Sequence, residues 1–308
     1  MAVLKHKQSL AEEIQGITSK HAHAKLLEKD VQNLTTVLGG VFDQCEGAYS
    51  TLEICRTESL QTMIKVSEKQ FKPLHDALMK AKRNLNFDMD VDMYVEANCF
   101  ANAGSFKLPN QTSEIILNSG LVNLLKLLDK KNENLALVVL LHELGHLMFR
   151  QSDIDTGMRI YSALLNDGSI AKSVLLQATT NVYRKYSVAM ELTADRVMYS
   201  VMKDIEGGWD AIIRVFGLLA GGISAFPINC DELMKQYNLG DVAVGELLYT
   251  GVTSKDAHPP IMFRLQELYN LHCGYLYPVC NTDLVYNTGP QELGFAAAAR
   301  SKKLWDSL

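Results

Sequence analysis

No stretch of this chain reaches the ~18 uncharged apolar residues that a membrane-crossing helix needs. The nearest, AIIRVFGLLAGGISAF at 211–226, carries Arg214 and several glycines and reads as a buried helix and turn. The N-terminal MAVLKHKQSLAEEIQ lacks the apolar core of a secretory signal, so a cytoplasmic protein is the expectation. The six cysteines (Cys45, Cys55, Cys99, Cys230, Cys273 and Cys280) form no C-x-x-C pair. Without a secretion signal, free thiols are the default for them. There is no basic stripe: acidic and basic residues are mixed, with a net charge of −5. Nucleic acid is therefore not an expected partner.

The 308 residues, 47% of them hydrophobic, suffice for one large domain or for a domain with an extension. The densest apolar run is NENLALVVLLHELGHLMFRQ at 132–151. Asn132 or Asn134 can cap its start. Apolar residues then fill nearly every position through Leu141, so the helix should be buried on most sides. Into this run fall His142, Glu143 and His146, as His-Glu-Leu-Gly-His.

Four residues apart on a helix, His142 and His146 share one face, and both imidazoles can reach one metal. Glu143 projects beside them, where it can hold a water and take its proton, because zinc lowers the pKa of a bound water to about 7. The alternative is a helix with two incidental histidines. It would bury two imidazoles and a carboxylate without partners, at several kcal/mol; a metal removes that cost.

A tetrahedral zinc with two histidines still needs a third protein ligand, and a glutamate on a later helix is the standard supply. Residues 170–203 read as helix, and inside them lies SVAMELTADR, ending at Arg196. Glu191 and Asp195 are i and i+4 and share a face. Glu191 is the candidate third ligand. Asp195, one turn on, can accept the free ring N–H of a zinc histidine and fix its tautomer. The competing reading is a solvated acidic pair.

The rest of the chain is organised around this core. Residues 1–85 read as helix, with Leu26, Leu27, Val31, Leu34 and Leu38 at helical spacing. This region is either a brace packed on the catalytic domain or a partner-binding extension. His21 and His23, two apart, point away from each other on a helix and read as solvated. Two strands are predicted, at 91–100 and 113–118, with turn residues at 101–112 between them. An exposed edge strand here can pair with an extended substrate backbone. A short helix at 121–130 then leads to the histidine helix. Helices are expected near 209–219, 231–237 and 242–249. In DAHPPIMFRL, Pro259 and Pro260 suit a loop entering a helix, which puts His258 at the loop's end and Arg264 inside the helix: either a cap and a surface arginine, or a histidine that faces the zinc cleft. The tail from Cys273 to Leu308 has no assigned role.

Together the blocks His142–His146, Glu191–Asp195 and His258-Pro259 through Arg264 resemble metallopeptidase family forty-eight, the HtpX-like and CAAX-prenyl-protease-like gluzincins. Asn102-Ala103 and Ser119-Gly120-Leu121 look like that family's lead-in to the zinc helix. The resemblance covers roughly residues 70–270. It implies an α+β fold, mostly α: a zincin-type catalytic domain with a small β-sheet packed on the active-site helix, preceded here by a helical extension. It divides the chain into residues 1–70, a peptidase domain at 71–272 and a C-terminal tail at 273–308. It implies an endopeptidase acting on protein or peptide substrates, with one Zn2+ on His142, His146 and Glu191; the lack of an apolar span makes a soluble one the expectation. Glu143 would be general base, with His258 and Arg264 as further catalytic residues and Asn102 and Ala103 as substrate-binding ones. Two features depart from the family: the absence of membrane spans or a secretion signal, common among its members, and the unmatched N-terminal helical region. The alternative function is a non-catalytic zinc-binding interaction module, in which the metal is structural and residues 1–70 serve a partner or self-association.

Overall fold

The computed structural model describes residues 61–107, 113–148, 187, 190–221, 229, 232 and 259–272. The readings made for residues 1–60, for 152–186, for 231–249 apart from 232, and for the tail lie outside these, as do His21, His23, His258 and every cysteine but the exposed Cys99.

The described chain is mostly helical with a small mixed sheet. It opens not on helix, as expected through residue 85, but on the short strand β1 (Ile64–Lys65). Helix α1 (Lys72–Leu85) follows. Pro73 lies in its first turn, where the missing N–H is not needed. Asn86 ends it in the left-handed region, returning its N–H to the carbonyls of Lys82 and Arg83. Leu74, Ala77, Leu78 and Ala81 recur at helical spacing and form its buried face.

Strand β2 (Val91–Glu96) stops four residues short of the predicted end. The chain turns there, with the Asn98 N–H on the Glu96 carbonyl at 2.9 Å. Strand β3 (Ala103–Lys107) falls where only turn residues were expected, and β4 (Ser113–Asn118) matches its predicted range. The sheet order is β1-β2-β4-β3. β2 and β4 run parallel, and β3 is antiparallel to β4, with Ala103 opposite Leu117 and Lys107 opposite Ser113. β3 is thus an edge strand.

After β4, helix α2 (Ser119–Leu124) covers only part of the helix expected at 121–130. Gly120 explains the tight entry: a Cβ there would collide with the Cys99 carbonyl. A 3-10 turn (Lys130–Asn132) leads into α3 (Glu133–Met148). Of the expected caps, Asn132 directly precedes α3 but gives its side-chain amide to the Lys126 carbonyl, and Asn134 lies inside the helix and donates to Glu206.

Helix α3 is the centre of the fold. Twelve of its sixteen residues are buried, so it has no solvent face to speak of, as its unbroken apolar run required. Helix α1, strand β3 and a later helix, α5 (Gly208–Gly221), pack around it. Lys80 of α1 pairs with Glu133 in its first turn at 2.6 Å. Residues 190–202 form helix α4, and α6 (Ile261–His272) starts directly after Pro260, as predicted. No described helix is long and apolar enough to cross a membrane.

Candidate metal centre

Helix geometry sets the first two side chains. One turn apart on α3, His142 and His146 bring their Nε2 atoms to 3.0 Å from each other, with the rings edge to face. The third arrives from α4. Glu191 places Oε2 at 3.4 Å from His142 Nε2 and Oε1 at 3.5 Å from His146 Nε2. Four ligands about 2.0–2.1 Å from a zinc in a tetrahedron lie about 3.3–3.4 Å apart. The two imidazole nitrogens and the two Glu191 oxygens stand near that spacing, and one atom from each residue lies within 4.8 Å of the others, so His142, His146 and Glu191 can hold a single metal. They form the one cluster of three potential metal-ligating side chains found among the described residues. Glu143 is buried beside the histidines.

What lets α4 come so close is a missing side chain. A Cβ on Gly145 would stand 3.0 Å from the Ala194 Cα and 3.3 Å from its Cβ. Ala194 sits between Glu191 and Asp195. The glycine of His-Glu-Leu-Gly-His therefore makes room for the helix that carries the third ligand.

Asp195 has the neighbour that sequence reasoning gave it. Its Oδ1 lies 3.0 Å from His142 Nδ1, so the ring can donate there while Nε2 turns toward Glu191 and His146. Glu191 and Asp195 are 4% and 1% exposed, which rules out a solvated pair.

Of the two readings of Arg264, the surface arginine is excluded: the residue is buried. Its Nε donates to Asp195 Oδ2 at 2.8 Å and its Nη2 to Asp195 Oδ1 at 2.6 Å. Its Nη1 pairs with Glu191 Oε2 at 3.0 Å, and its guanidinium lies 5.2 Å from the Phe216 ring of α5. One cation thus holds two carboxylates one turn apart on α4.

The charges respond to this packing. Burial and the Arg264 cation oppose a proton on His142, but the hydrogen bonds to Asp195 and Glu191 outweigh them, and its pKa is pushed up to about 9. Burial drives the Asp195 carboxyl upward, yet Arg264 and His142 hold it below the usual carboxylate range. Burial works against the Arg264 charge too, but Asp195 and Glu191 hold its pKa above the usual arginine value.

Of the remaining expected site residues, Ala103 opens β3, which packs on α3. Asn102, exposed, precedes it, its carbonyl accepting from the Asn118 N–H at 3.0 Å. His258 lies outside the described residues. Sequence reasoning missed the role of Gly145, for which the only signal was a glycine in the middle of a buried helix, and it did not foresee that Arg264 pairs with both Asp195 and Glu191.

Compared with known proteins, residues 68–272 match the family model described as Peptidase family M48. No curated protein and no solved structure matches the chain.

Proposed function

The chain belongs to peptidase family M48, and on that premise we propose that it is a soluble zinc-dependent endopeptidase with one zinc on His142, His146 and Glu191. The observation that carries this reading is the convergence of three side chains, the two Nε2 atoms 3.0 Å apart and the Glu191 carboxylate 3.4 and 3.5 Å from them through its two oxygens, a set that leaves one position of a tetrahedron open. Structural zinc sites are closed by four protein ligands, whereas catalytic ones keep a position open. The cluster found among the described residues has three, which favours catalysis over a purely structural metal.

Zinc held there supplies a Lewis acid that polarises a substrate carbonyl and makes water acidic enough to attack near neutral pH. The protein does the rest. Glu143, next to His142 on α3, is the general base, taking the proton from the attacking water and returning it to the departing amine. Asp195 accepts the His142 Nδ1–H and keeps Nε2 free as a ligand atom. Arg264 offsets part of the negative charge that Glu191 and Asp195 bring into the core, and it acts through them, not on substrate. Edge strand β3, entered through Asn102 and Ala103, offers unpaired backbone groups to an extended peptide.

In this reading residues 71–272 are the catalytic domain of a cytoplasmic protein, and residues 1–70 are a brace or partner-binding extension. His258 has two alternative roles, with opposite effects on removal: donor to the developing oxyanion, or a fourth zinc ligand that shuts the resting site. The test is whether the purified protein carries one zinc per chain and cleaves unfolded casein, with Glu143→Gln as the control. Stoichiometric zinc without cleavage, under conditions where the fold is intact, would return the protein to the interaction-module alternative.

A further inference from the structure

Beyond the metal centre, α4 and α6 meet through a second ion pair whose polarity is opposite to the first. Asp195 of α4 faces Arg264 of α6 at 2.6 Å. The next residue on α4, Arg196, faces Glu267 of α6, Nη2 to Oε2 at 4.0 Å. Glu267 is 2% exposed and Arg196 is mostly buried. So α4 presents a negative then a positive charge, and α6 a positive then a negative one. Arg264 and Glu267 are three residues apart, about 4.5 Å along a helix. A slide of α6 by that distance would place the Glu267 carboxylate against Asp195 and Glu191. In a buried site, such a wrong pairing is repulsive as well as unpaired.

We propose that the Arg196–Glu267 pair positions the metal centre: by reversing the polarity of the Asp195–Arg264 pair it fixes the register of α6 on α4, and so keeps Arg264 on both Asp195 and Glu191. Both residues act through α4 and α6. Buried ion pairs contribute little net stability compared with apolar side chains of similar size, and their best-attested use is to specify one arrangement over others. The arrangement specified here is the one that aims Glu191 at the histidines. The proposal rests on the reading of His142, His146 and Glu191 as zinc ligands.

That view of the pair gives a test with two separable readouts. The double variant Arg196→Met/Glu267→Leu replaces the pair with apolar side chains. Its metal-free unfolding midpoint should equal or exceed that of wild type. Its zinc affinity, titrated against a competing chelator, should still fall about 10–100-fold, the effect typical of residues that orient ligands. The visible spectrum of its cobalt-substituted form should change, because that spectrum follows ligand geometry. Arg196→Lys, which keeps the charge, should retain wild-type affinity and spectrum. Wild-type affinity and spectrum in the double variant would overturn the proposal, as would a loss in Arg196→Lys equal to that of the double variant. If the double variant does not fold, the near-isosteric Glu267→Gln decides: weaker zinc supports the lock, and unchanged zinc overturns it. Wild-type protein is titrated in parallel. Absence of zinc there overturns the metal site itself, whereas bound zinc with indifferent variants overturns only the lock.

Discussion

Gly145 and Ala194 meet almost backbone to backbone: a Cβ on the glycine would lie 3.0 Å from the alanine Cα. Helices carrying side chains at both positions would be held further apart, and Glu191, three residues before Ala194, would move with its helix. The distance from His142 to the third ligand is therefore set by an atom that the sequence leaves out.

Gly145→Ala tests this. Alanine in a helix interior gains about 1 kcal/mol in propensity over glycine, but overpacking costs about 1–3 kcal/mol. The net change in stability should be a loss of no more than about 2 kcal/mol. Zinc affinity should drop far more than stability does, because Glu191 is displaced. Chelator competition together with thermal unfolding checks it; unchanged affinity would mean that α4 reaches the site without this close approach.

His142→Ala, His146→Ala and Glu191→Ala each remove one of three protein ligands and should yield protein without stoichiometric zinc. In the wild type, stripping zinc with a chelator should lower the unfolding midpoint, and adding it back should restore it. A ligand at 100 times its Kd stabilises by about 2.7 kcal/mol. Full zinc content in Glu191→Ala, by elemental analysis, would remove that residue from the site.

Glu143→Gln should keep zinc and fold but lose about 10²–10⁴ in hydrolysis rate, the usual cost of a missing general base. The amide is close to the same shape and cannot take a proton from water. Casein cleavage at the wild-type rate by this variant would sink the mechanism.

Asp195→Asn should be worse than its size suggests. The carboxylate accepts from His142 Nδ1 and from two nitrogens of Arg264. Asparagine has one acceptor oxygen, and its amide would face donors. Breaking a buried charge pair costs about 3–5 kcal/mol, less what Arg264 keeps through Glu191, and loss of the histidine's partner costs about 10–100-fold in metal affinity. Chemical denaturation and zinc titration measure the two effects. A variant unchanged in both would place Asp195 outside the site's support.

These contacts also show what could be read from the chain and what could not. His142 and His146 were legible because a helix converts a spacing of four into a shared face without outside help. Glu191 followed from counting ligands, and Asp195 from its place one turn on. Strand β3 was not legible: Ala-Gly-Ser-Phe-Lys has little strand propensity, and it is extended because Ala103 through Lys107 pair with β4. β1 is two residues long and exists only against β2, so the helical reading ran past it. Arg264 was placed on the correct helix, but whether it faced the surface or the site was open. Nothing in IMFRLQELYNLH says which face turns inward, because the answer lies 69 residues away in Asp195.

The order of these pieces along the chain has a consequence for synthesis. His142 and the arginine that braces its partners are 122 residues apart. At roughly 5–20 residues per second, a ribosome needs on the order of 6–24 s to travel that distance. For that interval a nascent chain carries the histidine helix without the guanidinium that fixes its carboxylates. The assembled cluster of His142, Glu191, Asp195 and Arg264 is therefore timed by translation, closing only once α6 has emerged.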